Sequence, residues 1–122
     1  MNPVVTPSGT AQDAARVSDF WAKQSEHARA INSNWVNNQI ISSNIYRLVS
    51  GQDKHWLSWL LEDYLADRKS INNVLSICCG DGAHELQMMQ SGKVRFLRGF
   101  DISNGAIRTA AQRLRDAGFA DD

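Results

Sequence analysis

The chain has little cysteine, and what it has is adjacent: Cys78 and Cys79 are the two cysteines among 122 residues. Neighbouring cysteines seldom bridge, and the pair lacks the spacing of a zinc site, so neither a disulfide framework nor a structural metal is expected. They read as small thiols on a buried strand. Proline is almost missing, and Pro3 and Pro7 both fall within the first ten residues. No apolar run approaches the roughly 20 residues of a membrane span. The N-terminus lacks the basic-then-apolar layout of a signal peptide, so a cytoplasmic setting is expected. Net charge is absent, with 13 Lys plus Arg against 13 Asp plus Glu. Charge alone therefore points to no nucleic-acid or membrane-surface partner. There is no internal repeat and no low-complexity segment.

What is there is organised around Val74-Leu75-Ser76-Ile77-Cys78-Cys79-Gly80-Asp81-Gly82-Ala83-His84-Glu85-Leu86. Val74, Leu75 and Ile77 form a short, nearly continuous apolar run, which suits a parallel strand covered on both faces. Gly80 and Gly82 permit a tight turn and a close approach of backbone to a ligand. The helix that follows directs its free N–H groups, and the positive end of its dipole, into that gap. A second strand, from Val94, ends on Asp101. The distance from the glycines matches the roughly 20 residues at which a nucleotide-binding βαβ unit places the carboxylate that holds a ribose diol.

The nature of the nucleoside is constrained by Glu85. A dinucleotide fingerprint has a third glycine at that position. A carboxylate there would repel a pyrophosphate at the helix N-terminus. S-adenosylmethionine carries a sulfonium and an ammonium instead of phosphates, so the acidic residue favours that donor over NAD.

With these residues in view, the segment from about Asn34 to Phe119 resembles the start of a class I S-adenosylmethionine-dependent methyltransferase. Val74 to Gly82 resembles the first motif of that family, and Gly99-Phe100-Asp101-Ile102-Ser103 its second. The resemblance implies a small-molecule methyl donor as partner, with Ser76, Cys78, Gly80, Asp81, Gly82, Glu85, Asp101, Ile102 and Ser103 around it. Gly80 and Gly82 would border the methionine part of the donor, Glu85 would sit nearby, and Asp101 would bind the ribose. Ser76 stands where the family usually has an acidic residue, and Cys78 where it usually has glycine.

The expected fold class is α/β, an incomplete doubly wound, Rossmann-like parallel sheet with an N-terminal helical lead-in. Residues 1–16 read as a flexible arm, 17–70 as the lead-in or lid, and 71–122 as the first βαβα half of the donor-binding domain. Within the lead-in a helix is expected from Val17 to Ile31 with Ser18 as a possible cap, then a break at Asn32, Ser33 and Asn34. A second helix, Trp35 to Val49, should place Ile41, Ile45, Leu48 and Val49 on one face and end at Gly51. A third, capped by Asp53, should reach Ala66, with Trp56 and Trp59 able to share a patch. Asp67 to Asn73 reads as a polar link. His55 reads as a surface residue, and His84 beside Glu85 is not a metal pair. After the glycine turn, Leu86 and Met89 should face inward. In the last helix Ser103 is the expected cap, and Ile107, Ala110, Ala111, Leu114 and Ala117 should face the sheet. Gly118 and Phe119 should end it, with Arg108, Arg113 and Arg115 solvated.

Two strands cannot cover both faces or both edges of a parallel sheet. The expectation is therefore the N-terminal part of a longer protein, or a homo-oligomer that completes the sheet. Three functions stay open: methyl transfer to an unidentified O, N or C acceptor, a non-catalytic binding or oligomerisation module, and an NAD-type oxidoreductase, which Glu85 disfavours. No catalytic base stands out.

Overall fold

A computed structural model describes residues 10–31 and 38–120, the side chains of 24–31 excepted. The order of elements is α1 (Ala11–Ile31), α2 (Gln39–Ser50), α3 (Trp56–Trp59), a π-helical turn (Leu60–Tyr64), β1 (Ile71–Ile77), α4 (Ala83–Gln90), β2 (Val94–Phe100) and α5 (Asn104–Asp116).

Helix α1 starts six residues ahead of the expected Val17 because Thr10 and Asp13 form a reciprocal cap. The Thr10 hydroxyl and N–H donate to Asp13 Oδ2 at 2.9 and 3.1 Å, and the Asp13 N–H donates back to Thr10 Oγ1 at 3.3 Å. Ser18 is thus inside the helix, and residues 11–16 are helical, not an arm. The rest of the expected arm, the break at 32–34 and Trp35 lie outside the described residues.

Asn38 caps α2, accepting from the N–H groups of Ile40 and Ile41 at 3.1 and 3.3 Å. Gly51 ends it as expected, at φ +74°, its N–H donating to the Arg47 carbonyl at 2.9 Å. The expected apolar face of α2 is not buried: no residue of this helix is, and Leu48 is 86% exposed. Asp53 does not cap α3. It pairs with Arg47 at 2.9 Å, and His55 takes the cap position, its Nδ1 accepting from the Leu57 N–H at 3.3 Å. The helix then widens, with the Leu65 N–H reaching the Leu60 carbonyl five residues back at 2.9 Å. Leu57 and Leu61 are buried along this segment. Trp56 and Trp59 do not share a patch: Trp56 turns to His84, and Trp59 to Tyr64.

Strand β1 begins at Ile71, so the last part of the expected polar link is already sheet. It pairs with β2 in parallel, from Ile71 opposite Val94 to Ile77 opposite Phe100. Among the described residues these two strands are the whole sheet. The architecture is α/β, but it is not a Rossmann-like, doubly wound sheet.

Paired residues of a parallel ladder share a face. Val74 and Ser76 lie with Leu97 and Gly99 on the face that meets α4. Leu75 and Ile77 lie with Phe96 and Phe100 on the other, where all four are exposed. Helix α5 packs against α4 and α1. Its buried residues are Ala106 and Ala110, and Ala117 is exposed instead of facing the sheet. The end of α5 is as expected: Gly118 at φ +86°, and the Phe119 N–H returning to the Leu114 carbonyl at 3.0 Å. No helix among the described residues is long and apolar enough to cross a membrane.

Candidate functional site

The loop from β1 into α4 turns in three left-handed steps, at Cys78 (φ +60°), Gly80 (φ +58°) and Gly82 (φ +77°). Left-handed backbone is free for glycine and costs roughly 1–2 kcal/mol for other residues, so Cys78 holds a strained position. The two glycines differ. Around Gly80 an added Cβ would meet nothing within 4 Å. At Gly82 it would lie 2.7 Å from the Ala110 Cβ and 2.8 Å from the Ala110 Cα. Gly82 is buried, and its bareness allows the close packing of the loop on α5. Gly80 is the glycine with open surroundings.

Asp101 faces this loop. Its Oδ2 accepts from the Gly80 N–H at 2.9 Å and its Oδ1 from the Ser103 N–H at 2.8 Å. One carboxylate therefore ties the tips of both strands together, and each oxygen keeps acceptor capacity for a further donor. The Cys79 N–H extends the ladder to the Phe100 carbonyl at 3.1 Å. Cys79 fits because Gly99 has no side chain: a Cβ there would lie 3.1 Å from its Sγ. Burial raises the Cys79 thiol pKa, and the nearby carboxylates of Glu85 and Asp101 push it the same way. A thiol held protonated is a poor nucleophile.

Asp81 is engaged within the protein. Its Oδ1 accepts from the Ala83 N–H at 3.3 Å, and its Oδ2 pairs with Arg113 at 2.5 Å. Arg113 is thus an anchor between α5 and the loop, not part of a solvated face. Ser103 is fully buried, with its hydroxyl accepting the Ala106 N–H at 3.2 Å as the cap of α5. Ile102 between them is exposed.

Glu85 is the buried residue of α4, 3% exposed, while Leu86 and Met89 are half-buried. The Ser76 hydroxyl donates to its Oε1. Its Oε2 has no hydrogen-bond partner among the described residues. An unmet buried acceptor costs about 1–3 kcal/mol, more if charged, so this oxygen favours any donor that can reach it.

A second cluster went unseen at the level of sequence. Tyr46, His55, Trp56 and His84 come together where α2 and α3 meet the first turn of α4. Ring centroids are 5.1 Å apart for Tyr46 and His55, 5.9 Å for His55 and His84, and 5.3 Å for Trp56 and His84. Gln87 donates to the Ser58 hydroxyl at 2.9 Å, and Lys93 donates to the Leu61 and Leu65 carbonyls at 2.6 and 3.0 Å. The second half of the lead-in, between Tyr46 and Leu65, is therefore held to α4 and the turn after it. The signal for His55 was its place just before the apolar run that opens at Trp56, where a cap belongs.

No protein family, curated protein or solved structure matches this chain. Among the described residues no group of three or more His, Cys, Asp and Glu could hold a metal ion.

Proposed function

We propose that the glycine loop and Asp101 bind S-adenosylmethionine, and that these residues are the donor-binding part of a class I methyltransferase acting on an unidentified acceptor. The observation that carries this reading is the Asp101 carboxylate, held at the tip of β2 by the Gly80 N–H of the loop beside it. A ribose diol reaching the remaining acceptor sites of Asp101 would put its nucleoside next to the open side of Gly80. The unpartnered oxygen of Glu85 favours a ligand with an ammonium group and opposes a pyrophosphate. Methyl transfer asks mainly for in-line positioning of donor and nucleophile, so the absence of an assigned base is compatible with it. His55 is not a base in this arrangement, because its Nδ1 is engaged as a cap.

On this reading the two strands are the first half of a doubly wound sheet. The strand edges are where further strands would add, and the exposed face of Leu75, Ile77, Phe96 and Phe100 is where their connecting helices, or a second copy of the chain, would pack. The working setting is the cytoplasm. A second reading is a non-catalytic binding module, favoured by Cys78: its side chain stands at a left-handed position where backbone would otherwise approach the donor.

Calorimetric titration with S-adenosylhomocysteine separates the two. The methyltransferase reading expects binding that weakens at least about tenfold in Asp101→Asn, a loss of about 1.4 kcal/mol. Asparagine keeps one acceptor oxygen for the loop, and circular dichroism checks that the fold survives. No binding at millimolar ligand would leave the module reading, and tighter binding of NAD would overturn both the donor assignment and the role given to Glu85.

A further inference from the structure

We propose that the His55–His84 contact is an acid-sensitive latch that fastens the helical lead-in to the first turn of α4. The geometry is specific. His55 Nδ1 accepts the Leu57 N–H, which a neutral imidazole can do and an imidazolium cannot. The same ring stands 5.9 Å from that of His84, two residues beyond the glycine loop. Protonation would therefore remove the cap of α3 and set two like charges against each other across the joint.

The groups around the joint do not offset this. His55 meets Tyr46 from α2 and His84 from α4. Of the neighbouring charges, Lys54 is turned to Glu62 and Asp63, Asp53 to Arg47, and Glu85 to the Ser76 hydroxyl. No carboxylate pairs with either imidazole among the described residues. Burial, and then the nearby His84, hold the His55 pKa below its ordinary value. The sign follows: the released lead-in takes up the proton more readily than the docked one. The stabilising contribution of His55 is complete above the ordinary histidine value of about 6.5 and is lost as the pH falls through the lower folded value. The latch stands whether or not the loop takes the methyl donor.

Amide hydrogen exchange followed by NMR from about pH 7.5 to about pH 5, corrected for intrinsic rates, tests it. Protection of the Leu57 amide should fall at least about tenfold through the titration of the His55 ring, while the Leu97 amide in β2 keeps its protection. His55→Asn supplies a cap that does not titrate and should flatten the pH dependence. His84→Gln removes the like charge and should raise the midpoint. The latch is overturned if Leu57 keeps its protection throughout, if Leu57 and Leu97 lose it together, or if His55→Asn shows the unchanged pH dependence.

Discussion

The two faces of the sheet are built from the same strands and meet opposite fates. On one, Ser76 hydrogen-bonds Glu85 of α4, and Gly82, at the loop where β1 turns into that helix, lies against Ala110 of α5. On the other, Leu75 is 62% and Ile77 73% exposed, on the same face as exposed Phe96 and Phe100. Val94 at the start of β2 is buried, and the face is open from the next pair, Asn73 and Phe96, up to the glycine loop. Strand composition does not distinguish the faces, since both carry residues suited to burial. What distinguishes them is which residues leave room for a helix. The covered side also carries Val74 and Leu97, but its small residues Ser76 and Gly99, with Gly82 and Ala110 just beyond the strands, let loop and helices come close; the open side has Leu75, Ile77, Phe96 and Phe100 in their place.

Adding a methyl group on the covered side gives the sharpest test of this difference. Gly82→Ala combines a left-handed backbone with a clash against the main chain of α5 and should destabilise the protein by about 3 kcal/mol. Gly80→Ala meets the same backbone penalty with open space around it, and should cost about 1 kcal/mol. Denaturant midpoints of the two variants measure the contrast. Equal losses would mean that backbone conformation alone, not helix packing, demands glycine at position 82.

Much of this was legible in the residues. The β-turn-α unit, the second strand ending on Asp101, the Gly51 and Gly118 helix ends and the Ser103 cap all follow from local chemistry, where a residue and its neighbours in sequence decide the outcome. The misreadings share a different cause. Gly82 and Ala110, Asp81 and Arg113, and His55 and His84 are far apart in the chain, and only packing brings them together. The packing of Gly82 on α5 was therefore hidden, Arg113 read as solvated and His55 as surface. The start of α1 was a local misreading: Thr10 and Asp13 form a recognisable box, but the prolines and glycine just before it read as an arm. Glu85 lies between the two cases. Its place after the glycines singled it out in the sequence, but its burial, and the hydroxyl of Ser76 that meets it, were not readable there.

The loop that separates the two faces carries its own imbalance. Cys78 is exposed, so its side chain gains little packing in return for a left-handed backbone. Cys78→Gly should remove a strain of roughly 1–2 kcal/mol, offset by roughly 0.5–1 kcal/mol for the greater freedom of glycine in the unfolded chain. The net expectation is a gain of about 0.5 kcal/mol, read as a higher denaturant midpoint with an unchanged slope. A loss would mean that the Cys78 side chain has a packing role, and that the loop belongs with the covered face.

The smallest expected effect comes from the open face and is informative because it is small. Ile77→Thr keeps a β-branched residue in β1, preserving strand propensity while removing apolar surface. If Ile77 faces water in the folded chain, the change should move stability by no more than about 0.5 kcal/mol. If another copy covers this face, the substitution removes buried apolar area in the assembly and the loss should approach 1–2 kcal/mol, at about 25 cal/mol per Å². Protein concentration tells the cases apart, since a midpoint that rises with concentration marks a native state held by association. A loss of that size at every concentration would show that the face is covered from within the chain, and the contrast between the two sides of the sheet would fail.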